Sequence, residues 1–536
     1  MNHRLQNSRD LAALLAAALL ALMTGCTVGP KYTPPAATAP PLYKESPAEF
    51  KETPETSAWH VAQPGDAALH GKWWEIYGDK DLNALEEQLN IDNQNIRQSF
   101  ESYMEARAMV REARAQYFPT VSIGGAYTRT QPSANLSSNS AGITSGASTT
   151  STTGSTRTTS GTGTTSTTST VGGKQSQIFS LPADVSWEPD LWGKVRNAVH
   201  ASQYTAQLSA ADLENERLTE QASLAQYFFE IRGQDAEQAI LNETVEADKK
   251  ALAAVQASYN TGVGDEISVA EAQTTLESAQ AAAINLGVAR AQYEHAIATL
   301  IGKPASAFSI PVVPVIAAPP AIPLGVPSQL LERRPDIAAA ERTMAAANAQ
   351  IGVEVAAYYP DLTISGSGGV ESSTIGKLLE WPSRFWSLGP SLSETVIDGG
   401  LRGATVNQYK AAYNADLAAY RQTVLTAFQQ VEDSLASVRI LSQQIQREQQ
   451  AVESSQKALQ LELSRYQTGI DPYIDVTTSE TTLLSNQQTL AALKVQEMTA
   501  SVQLIVALGG GWDRSQLPTP AQVTQKPANS ETAIQH

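Results

Sequence analysis

Apolar residues recur every seven positions along two stretches of this chain. In the later stretch Val424, Phe428, Val431, Leu435 and Val438 alternate steps of four and three, and Ile445, Val452, Leu459 and Tyr466 continue at sevens. In the earlier stretch Val245, Leu252 and Tyr259 hold the same register, 207 residues upstream. A sustained seven-residue spacing makes a seam for coiled-coil packing, although a soluble bundle core would show it in one helix too. Matched register in two places favours paired coiled-coil hairpins. Residues 195–259 and 401–466 contain no Pro, so each predicts one helix of about 65 residues, reaching about 100 Å. A globular domain has no need of such helices, whereas a tube across a wide aqueous compartment does.

Shorter segments precede each long helix. Residues 121–127, 177–187, 362–370 and 385–396 show partial apolar alternation, with Phe118, Trp187, Trp192, Tyr358, Tyr359, Trp381 and Trp386 near their ends. The pattern suits membrane β-strands with interfacial aromatics, and soluble sandwich strands share it. Four strands cannot close a membrane barrel, whose minimum is about eight. A barrel would therefore need several chains.

The chain is written twice. Tyr117-Phe118-Pro119 and Tyr358-Tyr359-Pro360 each lead into a strand, 241 residues apart, and Tyr259-Asn260-Thr261-Gly262 and Tyr466-Gln467-Thr468-Gly469 lie 207 apart. The 34-residue difference is extra sequence in the first copy, and the Ser/Thr/Gly tract at 133–173 is its source. The expected organisation is a leader at 1–25, an extended segment at 26–78 and a first repeat at 79–302 with a turn at 259–267. A Pro-rich linker at 303–328, a second repeat at 329–512 with a turn at 466–474, and a disordered tail at 513–536 follow.

The leader has Arg4 and Arg9, an apolar run from Leu11 to Met23, then Thr24-Gly25-Cys26. A charged start, a short apolar core and small residues at the cut describe a secretory signal. Cys26, the single cysteine, stands where lipoprotein processing would cleave and acylate the chain. Thr27 at the next position, rather than Asp, directs the expectation to the outer membrane. With Cys26 acylated no internal disulfide can form. The formal charge of -17 argues against nucleic acid as partner. Prolines 311, 314, 319, 320 and 323 forbid a continuous helix in the apolar segment 310–326. Any crossing beyond the lipid would have to use β-strands.

Several motifs together resemble the TolC-like outer-membrane efflux proteins, in particular the lipoprotein branch serving RND-type pumps. They are Cys26-Thr27-Val28-Gly29-Pro30-Lys31-Tyr32, Trp73-Trp74 followed by Leu82 and Leu85, and Pro327-Ser328-Gln329-Leu330-Leu331-Glu332-Arg333-Arg334-Pro335-Asp336-Ile337. Trp187-Glu188-Pro189-Asp190-Leu191-Trp192-Gly193 and Asp398-Gly399-Gly400 look like the strand-to-helix corners. The resemblance implies a mainly α fold with a membrane β-barrel. Long helical hairpins would form a periplasmic α-barrel, and four strands per chain would contribute to a trimeric, 12-stranded barrel. It also implies a passive exit duct in a Gram-negative outer membrane, coupled to a periplasmic adaptor and an inner-membrane RND-type transporter, with no cofactor.

The two Gly turns would be the periplasmic tips. Gly262, Gly264 and Gly469 are expected to adopt the positive φ of a tight reversal. Tyr259, Thr261, Tyr466 and Thr468 flank them as adaptor-docking positions. Asp265 or Glu266 would start one return helix, and Asp471 followed by Pro472 would cap the other as N-cap and N1. By resemblance Asp475 faces the pore as a ring of three carboxylates that attracts cations, with Asp471 the second candidate. As an ordinary first-turn residue Asp475 would instead serve the helix dipole. The family's second tip often carries Arg two residues after the Gly as an interprotomer tether, and Asp471 stands there instead, so the resemblance does not carry that salt bridge over. His3, His60, His70, His200, His295 and His536 show no metal spacing, and no catalytic constellation is present. A non-channel surface scaffold, a periplasmic adaptor and a duct for an ATP-driven exporter remain as alternatives.

Overall fold

The computed structural model describes residues 27–36, 40, 43–45, 71–131, 175–320, 322 and 330–525. The leader, Cys26, the Ser/Thr/Gly tract and the last eleven residues lie outside the described residues. The described residues divide into two units, one made of residues 116–131, 175–191 and 359–397, the other of the remaining described residues.

The first unit is an antiparallel meander. Strands β1 (Thr120–Ile123) and β2 (Ala126–Thr130) both pair with β3 (Ser176–Trp187), which pairs with β4 (Asp361–Ser372), and β4 with β5 (Arg384–Ser393). The expected first strand is broken in two. Pro182 on β3 has no N–H to donate across to this strand, and only its carbonyl is used, by Gly124 N at 3.0 Å. The last strand stops at Ser393, not at 396, because its partner Asp361 is the first residue of β4.

Cross-strand partners share a face. Val121, Val185, Gly366 and Leu388 form one row, and Ile123, Ala183, Gly368 and Trp386 another on the same face. Between them runs Ser122, Asp184, Ser367 and Ser387 on the opposite face. One face is apolar and the other polar, yet the apolar one is bare: Trp386 is 82% exposed and Leu388 70%. A sheet in water buries its apolar face.

The second unit is helical. Helices α1 (Lys80–Asp92) and α2 (Gln94–Ala115) lead in, then come α3 (Lys194–Asn260) and α4 (Glu266–Leu300). After one turn at Leu330–Arg333 follow α5 (Pro335–Ala356), α6 (Leu401–Gln467) and α7 (Tyr473–Ala507). Both α3 and α6 have 67 residues, and both return helices have 35. Of the seam positions Val245, Val424, Phe428, Val431, Leu435, Val438 and Ile445 are buried, whereas Leu252, Val452, Leu459 and Tyr466 are half-buried and Tyr259 is exposed. Helix α7 is apolar enough to cross a membrane by composition, but 56% of its apolar window is buried against other helices, which accounts for that composition.

The main core gathers where the helices are joined by other chain segments. Trp73 is fully buried, donates to Gln221 Oε1 at 3.1 Å and meets Trp74 and Tyr77 edge-on. The segment from Thr27 to Glu45 is stitched to this unit. Asn197 and Asn348 donate to the carbonyls of Val28 and Pro30, and Glu432 accepts from the Lys44 and Glu45 amides. Gly29 has φ +118 and passes so close to Gly352 that a Cβ would sit 2.7 Å from its Cα. The linker is pinned too, by Arg232, Asp235, Arg290 and Glu294.

The expected disordered tail is corrected for residues 513–525. They form a 3-10 turn and a five-residue helix, α8 (Pro520–Thr524), opened by a Thr519–Gln522 capping box. Val523 is fully buried with Ala106, Val110 and Ala206. Arg107 donates to the carbonyls of Gln522 and Gln525 and Gln207 to that of Pro518, so side chains far away in sequence help the cap hold this short helix, and composition alone does not reveal them.

Candidate functional site: the hairpin tips

Both long helices end in the same way. At the first tip Thr261 N bonds to Ala257 O at 3.1 Å, Gly262 N to Tyr259 O at 2.9 Å and Val263 N to Ser258 O at 3.1 Å. At the second, Thr468 N bonds to Ser464 O at 3.2 Å, Gly469 N to Tyr466 O at 2.9 Å and Ile470 N to Arg465 O at 3.0 Å. Gly262 and Gly469 have φ +78 and +74. A glycine in the left-handed region with the following N–H bonded back satisfies carbonyls that the helix end leaves open. Gly264 does not share that conformation. It is required for space instead, since a Cβ there would lie 3.0 Å from Tyr259 N.

The return helices start differently. Asp265 is the N-cap of α4 and accepts from Ser268 N at 2.7 Å, which holds its carboxyl below the ordinary range. Asp471 is not the cap of α7. Pro472 occupies the N-cap position, with no side-chain cap, and α7 begins at Tyr473. The Asp471 carboxylate is taken up by Arg465, whose Nη2 donates to Oδ1 at 2.9 Å while Nε donates to Oδ2. Arg465 holds the Asp471 carboxyl below its usual range. A proline in the N-cap has no hydroxyl or carboxyl to cap with, so the neighbouring aspartate is free to clamp the turn from the other side.

This ion pair lies within one chain and is distinct from the interprotomer tether that the resemblance describes. The family-style position after Gly469 does hold an acid, but its cation lies six residues earlier on α6, before the turn. An arginine and an aspartate flanking a Gly reversal was the available signal. Asp475 is exposed in the first turn of α7, and its charge also acts on Arg465. The tip thus concentrates Arg465, Asp471 and Asp475 within one reversal.

Tyr466 and Tyr259 occupy equivalent places and different environments. Tyr466 meets Tyr473 edge-on at 5.2 Å, and Tyr473 is buried with Val255, Ala272 and Val476. Tyr259 is 40% exposed. Thr261 and Thr468 are exposed, their hydroxyls returned to the carbonyls of Ser258 and Arg465. Reasoning from spacing missed four apolar side chains that project from the reversals, Val263, Ile267, Ile470 and Ile474, of which Val263 is 85% exposed. Isolated apolar residues in a turn give no periodic signal.

Paired helical hairpins with exposed apolar tips, together with a sheet whose apolar face is bare, define a membrane-anchored channel class of protein. The sequence profile described as outer membrane efflux protein matches residues 85–303 and 326–510. The chain belongs to the outer membrane efflux protein family. It is 29% identical over 513 residues to the outer membrane protein OprJ of Pseudomonas aeruginosa, covering 93% of this chain and 96% of that protein. It is 27% identical over 511 residues to the probable efflux pump outer membrane protein TtgC of Pseudomonas putida, again covering 93% and 96%. The structure of the outer-membrane channel OprN aligns with TM-score 0.75 and 26% identity over 91% of this chain and all of that one. The open state of MtrE from Neisseria gonorrhoeae aligns with TM-score 0.71 at 22% identity, covering 91% and 99%, which shows the shared fold. The protein is therefore an outer-membrane component of an efflux system and extends into the periplasm.

Proposed function

We propose that three copies of this chain form one passive exit duct, with a 12-stranded barrel in the outer membrane and an α-helical tunnel in the periplasm. The single observation that carries this reading is the two-faced sheet. Its outer edges, β1 with β2 and β5, have no further strand partners among the described residues, and its apolar face is exposed. Unpaired edges in hydrocarbon are prohibitively costly, so the edges must meet those of neighbouring copies. A strand of 12 residues is about 40 Å long, and at a tilt near 45° it spans about 28 Å, the height of a bilayer core. Closure puts the apolar rows toward lipid and the serine-rich rows toward water.

The equal helix lengths support a twofold-repeated tunnel wall. Each long helix reaches about 100 Å, which suits a wall crossing the periplasm. The tips then meet a periplasmic adaptor and, through it, an RND-type transporter. Val263, Ile267, Ile470 and Ile474 give the apolar contacts, and Thr261 and Thr468 lie beside them. Asp475 lines a constriction as three carboxylates around the axis, and Cys26 carries the lipid. No step of this role is chemical, so specificity and energy reside in the pump. Relatives of this chain are named as antibiotic and toluene efflux pump outer membrane proteins of Pseudomonas putida, and small organic compounds are the proposed cargo.

Photo-crosslinkers at positions 261 and 468, used in cells, test this. Capture of a periplasmic adaptor by a trimer-sized particle is expected. Capture of surface partners only, or a fully conducting particle of monomeric mass, would overturn it.

A further inference from the structure

A second pair of carboxyl groups sits inside the packing behind the tips. Asp248 lies on α3, about 18 Å before the end of that helix, and Glu480 lies about 11 Å into α7. Asp248 is only 2% exposed. As ionised groups the two would have nothing to offer each other, and neither Asp248 oxygen has a donor among the described residues. A proton held between them turns the same contact into a hydrogen bond. Burial raises both carboxyls above the ordinary range, Glu480 to about 8.

Among the described residues no cation acts on the pair. Tyr473 on α7 is the further titratable group that feels both carboxyls. Lys249, next to Asp248 in sequence, is turned to the surface with Glu246 at 2.7 Å. Tyr473 itself sits in the apolar cluster of Val255, Ala272 and Val476. Helix α3 belongs to the first hairpin and α7 to the second, so the shared proton bridges them.

We propose that Asp248 and Glu480 form a proton-operated latch between the two hairpins. With one proton shared, α7 is held on α3 and the tips stay together. When that proton leaves to solvent, two carboxylates face each other in a poorly hydrated site, and the second hairpin parts from the first. The sign follows from the raised values: the native pair holds its proton where free carboxyls have lost theirs. The latch is therefore closed in the ordinary carboxyl range and above it, and its stabilisation is lost as pH rises toward the raised value. This inference rests on the channel reading for its effect on flow, though not for the shared proton itself.

Two measurements on the full chain test it. In planar bilayers, open probability of the wild type should rise on the order of ten-fold between about pH 6 and about pH 9, which corresponds to about 1.4 kcal/mol. In Glu480→Gln the amide donates to Asp248 at every pH, so that rise should disappear. In Asp248→Asn it should disappear as well, and this variant serves if the first does not fold. A wild type without the rise, or variants that keep it, would overturn the latch. Infrared titration should show a protonated carboxyl persisting above the ordinary carboxyl range in the wild type and missing from Glu480→Gln. Its absence from the wild type would equally overturn the proposal. If the wild type never conducts, the duct reading fails while the infrared titration still decides the latch.

Discussion

Replacing Asp235 with Ala should release the proline-rich linker from the helices that hold it. Asp235 is 2% exposed. Its Oδ1 accepts from Arg290 Nε at 2.7 Å and its Oδ2 from Val313 N at 2.9 Å. Around it Arg232 donates to Pro311 O at 2.9 Å, Arg290 Nη2 donates to Ile310 O at 2.9 Å, and Glu294 accepts from Ile310 N at 2.6 Å. Removing one member of a buried ion pair costs about 3–5 kcal/mol, because the other charge is left without its partner. The Arg290 side chain is 20% exposed and keeps Glu294 at 3.4 Å, which places the cost near the lower end, about 3 kcal/mol. Local opening of residues 310–313 should then be on the order of a hundred-fold more frequent. Limited proteolysis reports this, since cleavage follows the open population when reclosing is fast. A protease that cuts at bulky apolar residues should cleave near Val312, Val313 and Val315 about a hundred-fold faster, with cleavage elsewhere unchanged. A linker cleavage rate within about two-fold of wild type would refute the reasoning.

Arg465→Ala should raise basal conductance near neutral pH by releasing Asp471 and the turn. In the wild type the pair contributes above the ordinary aspartate range and is lost only as pH falls through the lowered Asp471 value, so loss of this pair by titration is expected only in strong acid. Unchanged single-channel records would rule out a role for the pair in closure. Asp475→Ala should weaken cation selectivity and block by multivalent cations while leaving assembly intact, because an exposed residue is removed from no core; reversal potentials check this. Glu86 is fully buried, and neither of its oxygens has a partner among the described residues. Glu86→Met should stabilise by about 1–3 kcal/mol in thermal denaturation. Burial raises the Glu86 carboxyl, so wild-type stability falls as pH rises above the ordinary range and the gain should grow with pH. A destabilised Met variant would show that Glu86 is paired.

The helices were legible in the sequence because their information is periodic and long. Val424 to Ile445 announce a seam by spacing alone, and Gly262 and Gly469 mark where it turns. The strands were legible in position but less so in their ends, since the break after Ile123 depends on Pro182 in another strand. The two-faced character of the sheet needs the register: Val121 reads as one apolar residue until Val185 and Leu388 fall in its row. What the sequence could not show are contacts between residues far apart along the chain. Asp248 and Glu480 are 232 positions apart in sequence, and neither is unusual on its own helix. Arg465 and Asp471 are close in sequence, yet a cation placed before a turn was overlooked because the expectation looked for it after the turn. The Val523 helix shows the opposite error, where a polar tail concealed one buried anchor.

Single-channel recording of the full-length protein, purified as its native particle and placed in a planar bilayer, tests the central claim most directly. A trimeric duct should give discrete current steps that are small in the wild type, with its tips held together, and larger in Arg465→Ala. Particles that insert stably but pass no current in either form would contradict an exit duct and leave a scaffold with helical stalks.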